Sequence, residues 1–240
     1  MSYDLKVLEQ GCEELGIALN DTQKQQFIAF YEYLVEKNKV MNLTGITEFQ
    51  EVLVKHFLDS LACVKAVDMT KVSKIMDIGT GAGFPGIPLK IVFPEIKVVL
   101  LDSLNKRIRF LNEVIAKLGL NGIETIHGRA EDYAKRKEYR EQFDLCVSRA
   151  VANLATLSEY CLPYVKVGGY FVPYKSEEVD EEVEQARNAA KILGGTIEEV
   201  YKFKLQGTEI GRSFIKIKKI KSTAKKYPRK AGLPAKEPLQ

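Results

Sequence analysis

The chain has 240 residues, 45% hydrophobic and 28% charged, the proportions of a globular protein, which excludes wholesale disorder. Its four cysteines (Cys12, Cys63, Cys146, Cys161) are scattered without a Cys-x-x-Cys pair and only two histidines accompany them, so no metal site is expected and the chain reads as reduced and cytoplasmic. No apolar run approaches the roughly 18 residues of a membrane span, and none is expected. The formal charge of +4 hides an asymmetry: residues 212–240 hold ten basic side chains against one acid, while the other 211 residues carry 26 basic and 31 acidic ones. A mildly acidic body with a basic tail points to a polyanionic partner.

Residues 1–70 read as a helical N-terminal extension. Leu5, Leu8, Cys12 and Leu15 recur at helical spacing between Tyr3 and Gly16. Asp21 is expected to cap a second helix with Phe27, Phe30, Tyr31 and Leu34 on its apolar face. A third begins near Thr47 and continues through Val52, Leu53, His56 and Phe57 to Val64. At Val72 the texture changes. Apolar runs at 72–79, 96–101, 123–127, 143–148 and 169–174 alternate with helical stretches to Phe93, over 104–118, near 130–140, and over 151–162 and 177–193. Two more strands, near 196–204 and 212–219, flank a short loop and are expected to pair antiparallel. Strands alternating with helices predict an α/β fold, a seven-stranded mostly parallel sheet covered on both faces. The expected layout is the extension, a catalytic domain over 71–220 and a basic tail over 221–240.

The chemistry concentrates at the strand ends. Asp77-Ile-Gly79-Thr-Gly81-Ala-Gly83-Phe84-Pro-Gly86 follows the first strand, and its glycines allow a sharp turn and close approach of a ligand. Residues 81–86 satisfy the dinucleotide pattern G-x-G-x-x-G, so a nicotinamide oxidoreductase is one reading. Asp77 beside the glycines suits a cation better than a pyrophosphate, and Pro85 and Pro88 remove amide donors. S-Adenosyl-L-methionine, a sulfonium without phosphate, fits this turn better. Asp102-Ser103, 23 residues after Gly79, stands where such sites hold a ribose. Ala130 and Glu131 end the third strand, where a small residue admits an adenine ring, and Arg149 ends the fourth, pointing into the crevice. Ser148-Arg149-Ala150 replaces the Asn/Asp-Pro-Pro-aromatic motif of exocyclic-amine methylation. A non-catalytic RNA-binding protein on the same fold remains a further reading.

Taken together, the glycine turn, Leu101-Asp-Ser-Leu-Asn-Lys-Arg107, Gly128-Arg-Ala-Glu-Asp132, Met41-Asn-Leu-Thr44, His56-Phe-Leu-Asp59, Ser148-Arg-Ala150 and the tail from Tyr227 to Leu239 resemble the GidB family over almost the whole chain. The resemblance implies a class I, Rossmann-like methyltransferase that uses S-adenosyl-L-methionine to methylate guanine N7 in small-subunit ribosomal RNA, free or within the 30S particle. It implies cofactor contacts at Gly79, Phe84, Ala130, Glu131 and Arg149, to which the residue reading adds Gly81, Asp102 and Ser103; RNA contacts are expected at Asn42, Arg149, Lys175, Arg229 and Lys230. No catalytic residue is assigned, because N7 carries a free lone pair and needs no general base. His56 and Asp59 fall on one helix face without an assigned role. The prolines of the tail predict an extended strap, whose loss should weaken RNA binding and spare the cofactor.

Overall fold

The structure is a computed structural model and describes residues 3–149 and 152–240; Ala150, at the end of one motif, lies outside the described residues. Strands form on the aliphatic runs: β1 (Lys74–Ile78), β2 (Lys97–Asp102), β3 (Ile123–His127), β4 (Phe143–Arg149), β5 (Val165–Ser176), β6 (Gly195–Lys204) and β7 (Gly211–Lys219). They make one sheet in the order β3-β2-β1-β4-β5-β7-β6. The first five run parallel, and β7 is antiparallel to both β5 and β6. The antiparallel ending follows from the short connection after β6, which cannot hold the crossover that a parallel neighbour needs. From β1 the chain moves outward to β3, then returns to β4 on the other side. That reversal opens a crevice above the carboxyl ends of β1 and β4.

The period-2 alternation of the strands divides the interior into two cores. Ile75, Val98, Leu100, Leu145 and Val147 face one side, where they meet α1 (Lys6–Glu14), α2 (Asp21–Met41), α5 (Gly86–Val92) and α6 (Asn105–Leu118). Met76, Val99, Leu101, Cys146 and Phe171 face the other, under α8 (Leu154–Cys161) and α9 (Asp180–Ile192), with Tyr227 of the tail. The amino-terminal helices and the carboxyl-terminal tail therefore cover opposite faces of one sheet. The extension is wired into the sheet domain by polar side chains as well. Gln23 Nε2 donates to the carbonyls of Ile91 and Val92, and Gln26 Nε2 to that of Leu118, satisfying the orphan carbonyls at the ends of α5 and α6.

Three local details differ from the sequence expectation. Asn20, not Asp21, caps α2: its side chain accepts from Gln23 N while Gln23 Oε1 accepts from Asn20 N, a reciprocal box that an aspartate one position later cannot form. The third helical run is not uniform; α3 (Phe49–Val52) passes into a π-helical segment (Leu53–Leu58), then α4 (Asp59–Leu61) and a 3₁₀ turn (Ala62–Lys65). The helix expected near 130–140 shrinks to α7 (Ala130–Tyr133). No helix among the described residues is long and apolar enough to cross a membrane.

Candidate active site

The turn after β1 is held from behind by two buried carboxylates. Asp77 Oδ2 accepts from Thr80 Oγ1 (2.7 Å) and from Gly86 N (2.9 Å). Burial raises its pKa to about 7 against these two donors, while its Oδ1 is buried without a partner. The sequence reading had Asp77 facing a cationic ligand; its side chain turns back into the protein and braces the loop. Asp102 does the same from β2, accepting from Gly81 N (2.9 Å) and Arg107 Nη1 (3.1 Å) through Oδ2 and from Leu104 N through Oδ1. It is buried, and Ser103, not Asp102, lines the neighbouring cavity.

Glycine is required at three points of the turn for different reasons. A Cβ on Gly83 would collide with Ile87 at 2.4 Å, and one on Gly86 with Leu100 and with Asp77 Oδ2. Gly81 adopts φ +60 and a Cβ there would meet only the Gly79 carbonyl, at 4.0 Å. Gly83 and Gly86 thus serve packing, whereas Gly81 keeps open a space above the turn.

Two cavities lie on either side of this turn. The smaller, about 190 Å³, is lined by Gly79, Leu101, Ser103, Ala130, Glu131 and Tyr160. Its walls combine backbone and small residues with Ile78 and the ring of Tyr160, and carry two charges, the buried carboxylate of Glu131 and the exposed guanidinium of Arg129. The larger, about 500 Å³, is lined by His56, Asp59, Arg149, Lys175 and Arg212 among others. Here Asp59, 2% exposed, accepts from Arg149 Nη1 (2.9 Å) and Arg212 Nε (3.0 Å). Arg149 Nη2 lies 3.3 Å from His56 Nδ1, and Thr44 Oγ1 lies 2.7 Å from His56 Nε2. Burial, reinforced by the Arg149 charge, lowers the His56 pKa to about 3, so the ring is neutral near pH 7. Phe84 connects the turn to this wall, stacking on His56 (centroids 4.6 Å apart) with the Arg149 guanidinium 4.9 Å from its ring centre.

The other singled-out residues are distributed unevenly. Lys175 lines the larger cavity, where Glu182 Oε1 (2.6 Å) and the Ala152 carbonyl (2.7 Å) hold its ammonium. Asn42 is exposed and forms the left-handed C-cap of α2, next to the Thr44 that reaches His56. Lys230 is exposed on the tail. Arg229, expected among the RNA contacts, is instead bonded to the fully buried Glu159 of α8, because a buried carboxylate draws the nearest guanidinium. The tail is a strap as expected, but it contains one helical turn, α10 (Leu233–Lys236), with Pro234 near its start where proline is tolerated. Sequence reasoning missed Arg212 as a partner of Asp59. Arg212 reaches the site through pairing of β7 with β5, opposite Ser176, and no local pattern announces that register. His127 Nε2 donates to the Ser103 carbonyl, an orienting contact between strand ends.

A parallel-to-antiparallel sheet of this order, with a glycine turn opening the crevice after β1, defines a class I methyltransferase fold. Solved structures agree on the fold: the O-methyltransferase segment (residues 961–1257) of StiE matches with TM-score 0.53 at 14% identity, covering 68% of this chain and 74% of that one. A transferase from Pyrococcus horikoshii matches with TM-score 0.50 at 16% identity, covering 62% of this chain and 58% of its own. The family model for GidB, rRNA small subunit methyltransferase G, matches residues 23–215. A relative named ribosomal RNA small subunit methyltransferase G from Lachnoclostridium phytofermentans is 55% identical, covering 96% of this chain and 95% of its own. One of the same name from Alkaliphilus metalliredigens is 50% identical over 98% of both chains. The chain belongs to the GidB family of small-subunit rRNA methyltransferases.

Proposed function

We propose that this chain transfers a methyl group from S-adenosyl-L-methionine to N7 of a guanine in small-subunit ribosomal RNA, free or within the 30S particle. The observation that carries this reading is the glycine turn standing between two unlike cavities, one of backbone, small and apolar residues in which Arg129 and Glu131 offset each other, the other with an excess of cations. The cofactor fits what is there. Space stays open where a Cβ on Gly81 would stand, the small Ala130 keeps the adenine side open, and Ser103 and Glu131 offer polar edges. When bound, it supplies an electrophilic methyl on a sulfonium centre.

The chain's own contribution is alignment. Guanine N7 has an unprotonated lone pair and the product purine is cationic, so no proton has to leave and no side chain has to accept one. The larger cavity agrees: its one imidazole, His56, is neutral and occupied by Thr44 and Arg149. Arg149 is held by Asp59 and by Phe84 at the edge of the turn, where its remaining donors can reach guanine O6 or a phosphate. Lys175 adds a second cation, and the exposed Asn42 and Lys230 extend the RNA face. Incubating the protein with radiolabelled S-adenosyl-L-methionine and either naked small-subunit RNA or 30S particles lacking the modification, then mapping the product by mass spectrometry, tests the reading. One labelled guanine bearing a 7-methyl group is expected, and label on any other base atom would overturn it.

A further inference from the structure

The carboxyl-terminal strap carries the chain's excess of positive charge, yet its inner side is bonded to the smaller cavity. Arg229 Nε lies 3.0 Å from Glu159 Oε1 and its Nη2 2.7 Å from Oε2, and the Arg229 backbone N–H adds a third donor at 2.7 Å. Glu159 is 0% exposed, and the next residue, Tyr160, lines the cavity. Three residues further along the strap, Gly232 N donates to Glu131 Oε1 at 2.8 Å. Glu131, 3% exposed, lines the same cavity. Thr156 Oγ1 donates to the Pro234 carbonyl and completes the attachment to α8. The strap thus meets the cavity's two acidic supports from behind, one on α7 and one on α8.

Each contact answers a physical need. A carboxylate removed from water and left without donors is strongly destabilised, and the strap supplies the donors that Glu131 and Glu159 need where they are buried. Gly232 stands at φ +86 with nothing within 4 Å of a would-be Cβ. This left-handed geometry costs glycine little and most other residues considerably more. The cations of the strap's outer side, Lys225, Lys226, Lys230 and Lys236, remain exposed.

We infer that residues 227–240 form a working part of the cofactor pocket: Gly232 positions Glu131, Arg229 positions the α8 segment bearing Tyr160, and the strap thereby sets affinity for the adenosyl end of the cofactor. This rests on the function proposed above, and it makes Gly232 and Arg229 positioning residues. It also reverses the expectation that losing the tail would spare the cofactor.

The test uses the full chain. Gly232→Val crowds nothing but cannot hold the left-handed backbone without strain, and so moves its N–H off Glu131; Gly232→Asn tolerates that conformation and keeps the bond. Titration calorimetry with S-adenosyl-L-methionine should show binding about tenfold weaker for Gly232→Val and within about twofold of wild type for Gly232→Asn, the effect of one lost hydrogen bond to a charged group. The KM for the cofactor should rise with Gly232→Val while kcat and RNA affinity at saturating cofactor stay within about twofold. The double substitution Glu159→Gln with Arg229→Met, which removes both charges together, should weaken cofactor binding in the same direction. Unchanged cofactor affinity in Gly232→Val and in the double variant, or a loss confined to RNA binding, would overturn the inference. A wild-type chain that fails to bind S-adenosyl-L-methionine would instead overturn the proposed function on which it rests.

Discussion

The two cavities beside the glycine turn are built on different principles. The wall near β3 is mostly backbone, small and apolar side chains with one carboxylate and one exposed guanidinium, and it is kept open by the small residues Gly79 and Ala130. The wall near β4 and β5 is a lattice of paired charges, in which Asp59 holds two guanidiniums and Glu182 an ammonium. The first can select a ligand by shape. The second keeps cations rigid and ready for an anionic or hydrogen-bond-accepting ligand, because their orientation is settled before anything binds. The comparison teaches that the extension is no separate appendage. It supplies His56 and Asp59 to the charged wall, while the strap backs the other wall by bonding Gly232 to Glu131 and Arg229 to Glu159.

The largest effect should come from removing the centre of the charged lattice. Asp59→Ala leaves Arg149 and Arg212 facing each other in a partly buried site, and breaking a buried pair costs about 3–5 kcal/mol. Urea unfolding should register that loss. Single-turnover methylation should drop by about a hundredfold or more, as a mispositioned group does, with cofactor affinity nearly kept. An equal loss of cofactor affinity would break the division between the walls.

Gly81→Val attacks the other wall. Its side chain would enter the space above the turn and strain a backbone at φ +60. Binding of S-adenosyl-L-methionine should weaken by about tenfold to a hundredfold, equivalent to about 1.4–2.8 kcal/mol. RNA affinity measured by filter binding should stay near wild type.

The pH dependence of stability adds a second contrast, since His56 of the charged wall and Asp77, the carboxylate that braces the turn, titrate with opposite sign. His56 stays neutral in the fold down to about pH 3, whereas its unfolded counterpart takes up a proton below about pH 6.5. Stability should therefore rise with pH across that window, by up to about 1.4 kcal/mol per pH unit. Asp77 keeps its proton in the fold to about pH 7 but loses it near 3.8 when unfolded, so it lowers stability as pH rises between those values. The slopes oppose each other from about pH 4 to 6.5. Thermal unfolding across this range should show a falling profile in His56→Gln and a rising one in Asp77→Asn. The same sign of slope in both variants would refute the assignment.

The smallest effect is an expected near-absence. The single-turnover rate at saturating cofactor should vary by less than about threefold between pH 6.5 and 8.5, and His127→Ala should retain it within about tenfold, because a true general base contributes 10²–10⁴. A log-linear rise with pH, abolished by either histidine substitution, would contradict the base-free reading.

Much of this architecture was legible in the residues themselves. The alternation of strand and helix from Val72 onward, the glycine turn and the antiparallel ending are local, periodic signals, and the seven strands formed within a few residues of their expected places. Local chemistry also marked Ala130, Glu131 and Arg149 as strand-end residues, and the structure lines the two cavities with them. What a side chain faces is another matter. Asp77 looked like a ligand group because it borders the glycines and Asp102 because it ends the second strand at the spacing of a ribose-binding acid, yet both accept from backbone amides of the turn. Arg229 looked like a free cation because its neighbours are basic, yet a carboxylate 70 positions away claims it. Arg212 looked like tail charge, yet the register of β7 on β5 delivers it to Asp59, 153 positions earlier in the chain. Periodicity fixes which residues lie on a face, because the backbone repeat is local. Which charges pair is decided only when distant segments are packed together, because a buried charge must find a partner wherever the fold brings one.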